Sequence, residues 1–264
     1  MAPLKFSKLN LFFWTILLPA HLLFLYLILT SYFVSGFLIF IFWTLLSGFG
    51  IGAGFHRLLS HKSYQTSAFF EKMVSILGCL GLQGSSLFWV NIHRGFHHPH
   101  SDSKLDPHSP IHGKWHAFIL WSITLDLKSV KMNYAKDLAK SRFHLFLHRY
   151  YFLIIYLTWT LVGMISLSYL KCFVIAQLIT LYQEYCVNLF CHVRGWGGYR
   201  NYDTQDDSVN RYLFGLLFWG VGYHNNHHGD QANFNFARKG LEFDPTTILV
   251  SLIRIKKHER LSNK

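Results

Sequence analysis

Residues 32–61 form the most informative stretch of the sequence, YFVSGFLIFIFWTLLSGFGIGAGFHRLLSH. It begins with an apolar run about as long as the ~20 residues that carry a helix across the ~30 Å hydrocarbon core of a membrane. His56 and His61 stand past the end of that run. Neutral imidazole is the commonest protein ligand for transition metals. The stretch therefore indicates a membrane helix with metal ligands beyond its end.

Three further clusters of histidine stand at the edges of other apolar segments. They read His93-Arg94-Gly95-Phe96-His97-His98, Asn188-x3-His192 and His224-Asn225-Asn226-His227-His228. A helix would present Asn188 and His192 on one face, because residues i and i+4 lie one above the other. Seventeen of the 264 residues are histidine, so chance could supply one such pair. Four clusters with the same placement favour a polynuclear metal site over scattered surface histidines.

The composition is that of a membrane protein. Hydrophobic residues make up 51% of the chain and charged residues 14%, against roughly 25% charged residues in an average soluble domain. The net charge of +12 is expected from cytoplasmic loops that follow the positive-inside rule, and nucleic acid is not an expected partner. Four cysteines show no metal-site or disulfide spacing, and we expect them to pack as small apolar residues: Cys79, Cys172, Cys186 and Cys191.

Four apolar segments have about the length of a transmembrane helix. They are residues 11–29, 32–50, 151–169 and 172–189. The first two are joined near Ser31 and the last two near Lys171, which predicts two helical hairpins. Residues 69–90 and 212–221 are also apolar, but glycines weaken the first of these and the second is short. We expect interfacial or re-entrant helices there.

Lysines and arginines are concentrated in the amino terminus, in residues 57–149 and after Arg194. By the positive-inside rule, both termini and this central segment face the cytoplasm. Every histidine cluster then lies on the cytoplasmic side. The predicted fold is an all-α integral membrane protein with four transmembrane helices in two hairpins and a cytoplasmic helical cap that carries the histidine clusters. It forms a single domain over residues 1–264, with a basic tail at residues 254–264.

Two polar residues fall inside predicted spans. His21 has no clustered partner, and we expect it to form an interhelical hydrogen bond. Glu184 lies about two helical turns before His192, and an ionised carboxylate in lipid is costly. Glu184 could orient a ligand histidine or form a structural hydrogen bond, and the sequence favours neither alternative.

The four clusters together resemble the membrane-bound fatty acid desaturases, most of all the acyl-CoA and acyl-lipid type that acts at carbon nine. The shared order is His-x4-His, His-Arg-x-x-His-His, Asn-x3-His and His-Asn-Asn-His-His, distributed around two hairpins. Further support comes from Gly54-Phe55-His56-Arg57, from Ser101-Asp102 through Asp106-Pro107-His108-Ser109-Pro110, and from Gly222-Tyr223-His224. The resemblance covers roughly residues 40–250.

The resemblance implies that nine histidines bind two iron ions and that an asparagine contributes through a bound water. The implied ligands, which would also be the catalytic residues, are His56, His61, His93, His97, His98, His192, His224, His227 and His228. The implied water-binding residue is Asn188. The other histidines outside the clusters are expected at the surface or behind the ligands: His108, His112, His116, His144, His148 and His258.

The second cluster departs from the family pattern, which is most often His-Arg-x-His-His. One extra residue places His97 and His98 four and five positions after His93. On a regular helix, residue i+5 points about 140° away from residue i. A π-bulge would absorb one residue and restore convergence, and we favour this interpretation. The alternatives are that His93 is displaced from the site or that His100 replaces one ligand.

The resemblance implies an oxidoreductase that uses O2 and two electrons to insert a cis double bond into a saturated acyl chain. Unactivated methylenes offer no acidic proton, so an oxidised metal centre must remove the hydrogens. The expected partners are an acyl-CoA or acyl-lipid substrate, membrane lipid, and a separate electron donor such as cytochrome b5 or ferredoxin. One alternative is a histidine-box hydroxylase or ketolase that acts on lipids or alkanes. Another, from a different class, is a membrane metal or haem binder or transporter.

Overall fold

The computed structural model describes residues 5–6 and 8–255 of the chain. Within these residues it contains helices and loops but no β-strand. The main helices of this part of the chain are α1 (Phe13–Thr30), α2 (Gly36–Ser60), α3 (Ala68–Leu80), α4 (Ser86–Ile92), α5 (Arg142–Arg149), α6 (Tyr151–Ile165), α7 (Leu167–Phe190), α8 (Tyr212–Leu217), α9 (His224–Gly229) and α10 (Pro245–Ile253). Shorter helical segments are His93–His97, His98–His100, Pro110–His112, His116–Leu120, Trp121–Thr124, Leu127–Ser129, Lys136–Ala139 and Arg194–Trp196. The predicted basic tail from residue 256 onward, including His258, lies outside the described residues.

Helices α1 and α2 are long and apolar enough to cross a membrane. Helices α5 and α6 qualify as a third crossing only if they are taken as one span, although they are bent by 72° at their junction. Helix α6 alone has 15 residues and a length of about 22 Å. Helix α7 has 24 residues, but Lys171, Gln177 and Glu184 lower its apolar character. Length and composition therefore support two candidate spans, or three, and the four predicted spans stay a prediction.

The connection between α6 and α7 lies at Ser166, so the predicted position near Lys171 is wrong. The Ser166 hydroxyl oxygen caps α7 by accepting a hydrogen bond of 3.1 Å from the Ser168 backbone N–H. Lys171 lies inside α7, where it is buried, and its ammonium donates a hydrogen bond of 2.6 Å to the Ser31 carbonyl. The prediction placed Lys171 in a turn because its buried partner is distant in the sequence.

Helix α2 continues ten residues past the predicted end of the second span and carries His56 with it. Its last 17 residues, Thr44–Ser60, are π-helical and mostly buried. The helix crosses α3 at close range, since a Cβ atom on Gly50 would lie 2.5 Å from the Gly78 backbone nitrogen. The small residues of this segment thus allow backbone contact between α2 and α3. The helix continues through them as far as the first histidine cluster.

Hydrogen bonds between side chains join α7 to α1 and α2. The Gln183 side-chain oxygen accepts from the Trp43 indole N–H at 3.0 Å and from the Ser47 hydroxyl at 3.1 Å. His21 Nε2 lies 2.9 Å from the Tyr182 hydroxyl, which confirms the predicted interhelical hydrogen bond. Such contacts are a common way of joining membrane helices.

The two weaker apolar stretches do not form long helices. Residues 69–90 are divided between α3 and α4 by a turn in which Leu82 and Gly84 have φ angles of 60° and 94°. Residues 212–221 contain only the six residues of α8. Neither stretch is a continuous span, and their interfacial or re-entrant position stays a prediction.

Candidate metal centre

The nine histidines of the predicted ligand set come from separate parts of the chain. His56 lies near the end of α2, and His61 caps this helix. The second cluster follows α4, and His192 lies two residues past α7. The remaining three histidines are on α9. The fold brings all nine into two neighbouring groups.

π-Helical turns bring the residues of each i, i+5 pair together. The backbone N–H of His98 donates to the carbonyl of His93, and this turn confirms the predicted π-bulge. A second hydrogen bond of this i, i+5 type, 3.1 Å long, joins the N–H of His61 to the carbonyl of His56. This second turn was missed, although His-x4-His has the same i, i+5 spacing. His93 is not displaced, and His100 belongs to neither group.

The five-histidine group consists of His56, His61, His93, His98 and His227. Its candidate ligand atoms all lie within 4.8 Å of one another. His227 Nε2 is 2.9 Å from the Nε2 atoms of both His56 and His98. His93 Nε2 is 2.9 Å from His61 Nε2 and 3.0 Å from His98 Nε2. The Nε2 atoms of the five rings thus point at one another from three parts of the chain.

The four-histidine group consists of His97, His192, His224 and His228, and all four are buried. His224 Nε2 is 2.8 Å from His192 Nε2 and 3.2 Å from His228 Nε2. The ring of His97 lies 5.0 Å, between centroids, from the rings of both His192 and His228. His97 and His98 are adjacent in the chain but belong to different groups, so the two groups lie side by side.

The nitrogen spacing suits metal coordination better than hydrogen bonding alone. His227 Nε2 and His93 Nε2 each face two other Nε2 atoms, but one ring nitrogen of neutral imidazole can donate or accept only once. Two nitrogens that bind one ion at right angles with bonds of ~2.1 Å are about 3.0 Å apart, and the tetrahedral separation is about 3.4 Å. The observed distances of 2.8–3.2 Å are close to these separations, so each such pair could bind one ion.

Three rings of the four-histidine group each have a carboxylate next to the Nδ1 atom. The Nδ1 atom of His192 lies 3.0 Å from Asp102, and that of His97 lies 3.0 Å from Asp106. His228 Nδ1 lies 2.7 Å from Asp206. A carboxylate on one ring nitrogen directs the other nitrogen toward a metal ion and increases its basicity. Sequence reasoning assigned these aspartates no such role.

Burial keeps most of these imidazoles neutral, which is the form that binds metal ions. It lowers the pKa of His61 to about 3 and the pKa values of His98 and His227 well below their usual range. His192 is different: burial lowers its pKa, but the charge of Asp102 and its hydrogen bond outweigh this effect and raise the pKa overall. Burial also raises the pKa of Asp206, but the hydrogen bond from His228 reverses that effect and leaves the pKa lowered.

A cavity of about 310 Å³ adjoins the histidines. Its apolar wall includes Phe88, Trp89, Ile92, Phe152 and Leu181. His93 and His108 also line it, so the cavity reaches the edge of the five-histidine group. Its volume and apolar lining suit an apolar chain that lies beside the histidines.

Asn188 and Glu184 lie one helical turn apart on α7 and line this cavity. Within residues 5–6 and 8–255, neither side chain has a recorded hydrogen-bond partner. Asp102, and not Glu184, contacts the Nδ1 atom of His192. Neither alternative for Glu184, orienting a ligand histidine or forming a structural hydrogen bond, is therefore confirmed. Asn188 lines the cavity together with His93 of the five-histidine group.

The other described histidines are outside the two groups. His144 and His148 bond to the hydroxyls of Ser86 and Ser85, while His116 contacts the Pro107 carbonyl. His108 is buried next to Asp106, with 3.4 Å between its Nδ1 atom and the carboxylate, and therefore stands behind His97. The four cysteines are free, and three of them are fully buried.

A buried ion pair supports the five-histidine group. Arg57 follows His56 directly, and its guanidinium lies 2.8 Å from Asp244, with both side chains completely buried. The guanidinium also stacks 3.8 Å above the centroid of the Phe236 ring. That ring lies 4.5 Å from the ring of His227, between centroids. The pair therefore connects α2 to the loop before α10 next to the five-histidine group.

Comparisons with known proteins agree with this geometry. Residues 31–229 match the family model described as fatty acid desaturase. The chain is 34% identical over 230 residues to an sn-1 stearoyl-lipid 9-desaturase of Anabaena variabilis, covering 85% of this chain and 82% of the relative. It is 32% identical over 213 residues to an acyl-CoA C20 Delta5-desaturase of Anemone leveillei, covering 78% and 66%. It is also 34% identical over 217 residues to the Delta-9 desaturase-like 5 protein of Arabidopsis thaliana, covering 80% and 70%.

Proposed function

The chain belongs to the fatty acid desaturase family, and we propose that it inserts a cis double bond into a saturated acyl chain at a histidine-ligated di-iron centre. Such an enzyme is an oxidoreductase that consumes O2 and two electrons. One observation carries the proposal: two groups of histidines, each close enough together to bind a metal ion, lie beside an apolar cavity. A metal carrier would not need this cavity at the edge of its ligands.

The nine histidines of the two groups are the proposed iron ligands, and Asn188 is the proposed holder of a bound water. The ring nitrogens of each group lie close enough to bind one ion. Reduced iron with O2 supplies the oxidising power that removes hydrogen from an unactivated methylene. The protein supplies neutral imidazoles, fixes their direction and holds the site inside a buried cluster.

The cavity positions the acyl chain. Its apolar wall excludes water from the methylene groups, and His93 belongs both to this wall and to the five-histidine group. A chain in the cavity therefore passes beside the proposed metal positions. Such positioning of the reacting atoms can account for a large part of a rate enhancement.

The carrier of the acyl chain is either coenzyme A or a membrane lipid. The names of the similar proteins include both an acyl-lipid and an acyl-CoA desaturase. We propose that a separate electron donor of the cytochrome b5 or ferredoxin type supplies the electrons. Assays with purified protein and each carrier in turn will distinguish the two substrate classes.

We propose that residues 1–264 form one membrane-embedded domain with four spans. Helices α1 and α2, the bent pair α5 and α6, and α7 are the candidates for these spans. The positive-inside rule supports cytoplasmic termini and a cytoplasmic helical cap with the histidine groups, because lysines and arginines are concentrated outside the apolar segments.

Expression in cells that lack unsaturated acyl chains tests the proposed function. Gas chromatography of the cellular fatty acids should reveal a new monounsaturated acid with the intact chain. An oxygenated acid with no new double bond would instead identify a hydroxylase or ketolase. If the cells contain the protein but neither product, the proposal is refuted.

Filling the cavity should block the reaction and leave metal binding intact. Leu181 is buried in α7 and lines the cavity, so the Leu181→Trp substitution places a large ring where the acyl chain should lie. We expect at least about a tenfold loss of monoene formation, since small misplacements of a substrate can cost about 100-fold. The matched control is Ile179→Trp, on the same helix but at an exposed position. Equal activity of the two variants would argue against this cavity as the acyl site.

A further inference from the structure

The two histidine groups differ in the hydrogen-bond partners of their Nδ1 atoms. In the four-histidine group, Asp102, Asp106 and Asp206 each contact the Nδ1 atom of one ring, at 2.7–3.0 Å. The fourth ring, His224, has its Nδ1 atom 3.2 Å from the Val221 carbonyl. Every imidazole of this group is thus held by a hydrogen bond on the nitrogen that faces away from the other rings.

The five-histidine group has no such support in the part of the chain that the structure describes. None of its rings forms an ion pair with a described carboxylate. The Nδ1 atoms of His98 and His227 are buried without a hydrogen-bond partner among the described residues. These rings are held by packing against one another and against Phe236.

The groups also differ in their access to the surface. A cleft of about 480 Å³ is lined by His61 and His98 together with Arg94 and Gln231. Both of these histidines are only half-buried. All members of the four-histidine group are buried, and none of them lines this cleft.

Building on the proposed function, we propose that Asp102, Asp106 and Asp206 are positioning residues that make the two metal positions inequivalent. The four-histidine group retains its ion firmly, whereas the five-histidine group exchanges its ion through the surface cleft. A carboxylate on Nδ1 fixes the ring and strengthens Nε2 as a donor, and loss of such a partner typically weakens metal binding about 10–100-fold. The five-histidine group has one more imidazole, which strengthens metal binding there. The aspartate variants below therefore measure the contribution of the carboxylates separately.

Release of cobalt from the purified full-length protein tests this proposal without measuring desaturation. The protein in detergent is loaded with Co2+ and mixed with excess chelator, and visible absorption and bound metal are followed over time. We expect two phases of about one ion each. The His224→Ala variant should retain only the fast phase and His61→Ala only the slow phase, which assigns each phase to a group.

The variants Asp102→Asn, Asp106→Asn and Asp206→Asn retain an oxygen that accepts the hydrogen bond but lose the charge. Each should accelerate the slow phase about 10–100-fold and leave the fast phase unchanged. The matched control is Asp203→Asn, because Asp203 is exposed and lies in the same loop as Asp206. It should change neither phase.

Equal release of both ions from the unaltered protein would overturn the proposed inequivalence, and this result does not depend on any variant folding. Equal acceleration of both phases in the aspartate variants would also overturn it, because it would indicate a general structural role. Failure to bind two ions at all would instead contradict the proposed di-iron centre. The two proposals therefore fail in distinguishable ways.

Discussion

The His227→Ala variant is expected to lose monoene formation and metal binding at the five-histidine position. His227 Nε2 lies 2.9 Å from both His56 Nε2 and His98 Nε2, so its ring joins α9 to the other two parts of the group. Loss of a residue behind a metal ligand typically costs 10–100-fold, and loss of the ligand itself should cost about 100-fold or more. The measurement is the monoene content of cells that lack unsaturated acyl chains, with protein levels determined in parallel.

The control for this prediction is His112→Ala. His112 is exposed and belongs to neither histidine group, although it also comes from the histidine-rich part of the chain. Its activity should match that of the unaltered protein. Undiminished monoene formation by His227→Ala would show that the five-histidine group is not required for the reaction.

The Asp244→Ala variant is expected to be the least stable of the single substitutions considered for this protein. It leaves the Arg57 guanidinium buried and without its carboxylate. It also removes the acceptor for the backbone N–H groups of Phe236 and Thr246, at 2.9 and 3.0 Å. Removing one partner of a buried ion pair costs about 3–5 kcal/mol. The midpoint of thermal unfolding in detergent should fall by roughly 6–20 °C.

The matched control is Asp137→Ala, which removes an aspartate from a solvent-exposed ion pair. Asp137 contacts Arg94 and Lys62 at 2.9 Å and is 38% exposed. Exposed pairs contribute about 0–1 kcal/mol, so the midpoint should change by no more than a few degrees. If the two variants unfold at the same temperature, the Arg57–Asp244 pair does not stabilise the fold in the way proposed.

The sequence identified the histidines that the fold brings together better than it located the ends of the helices. Ligand residues are recognisable because chemistry restricts their type and spacing, and the π-bulge followed from one extra residue between His93 and His98. The end of α2 was not predictable from apolar character, because this helix continues through glycines that pack against α3. Lys171 was placed in a turn since its buried partner, the Ser31 carbonyl, is distant in the sequence.

The partners of the ligands were also missed, for a related reason. Asp206 lies in a loop 22 positions before His228, and Asp102 lies 90 positions before His192. Local periodicity carries no information about such contacts, since only the tertiary fold brings the loop against the ring. Glu184 was the more conspicuous carboxylate because it stood in an apolar segment, yet its side chain lines the cavity.

Under the proposed function, both histidine groups must hold iron before an acyl chain is desaturated. The most direct test is the monoene yield of purified, reduced protein as a function of the iron bound per chain, with O2 and an electron donor supplied. We predict almost no monoene up to about one iron per chain and a rise to a maximum near two. Full yield at one iron per chain, or with none, would contradict the claim.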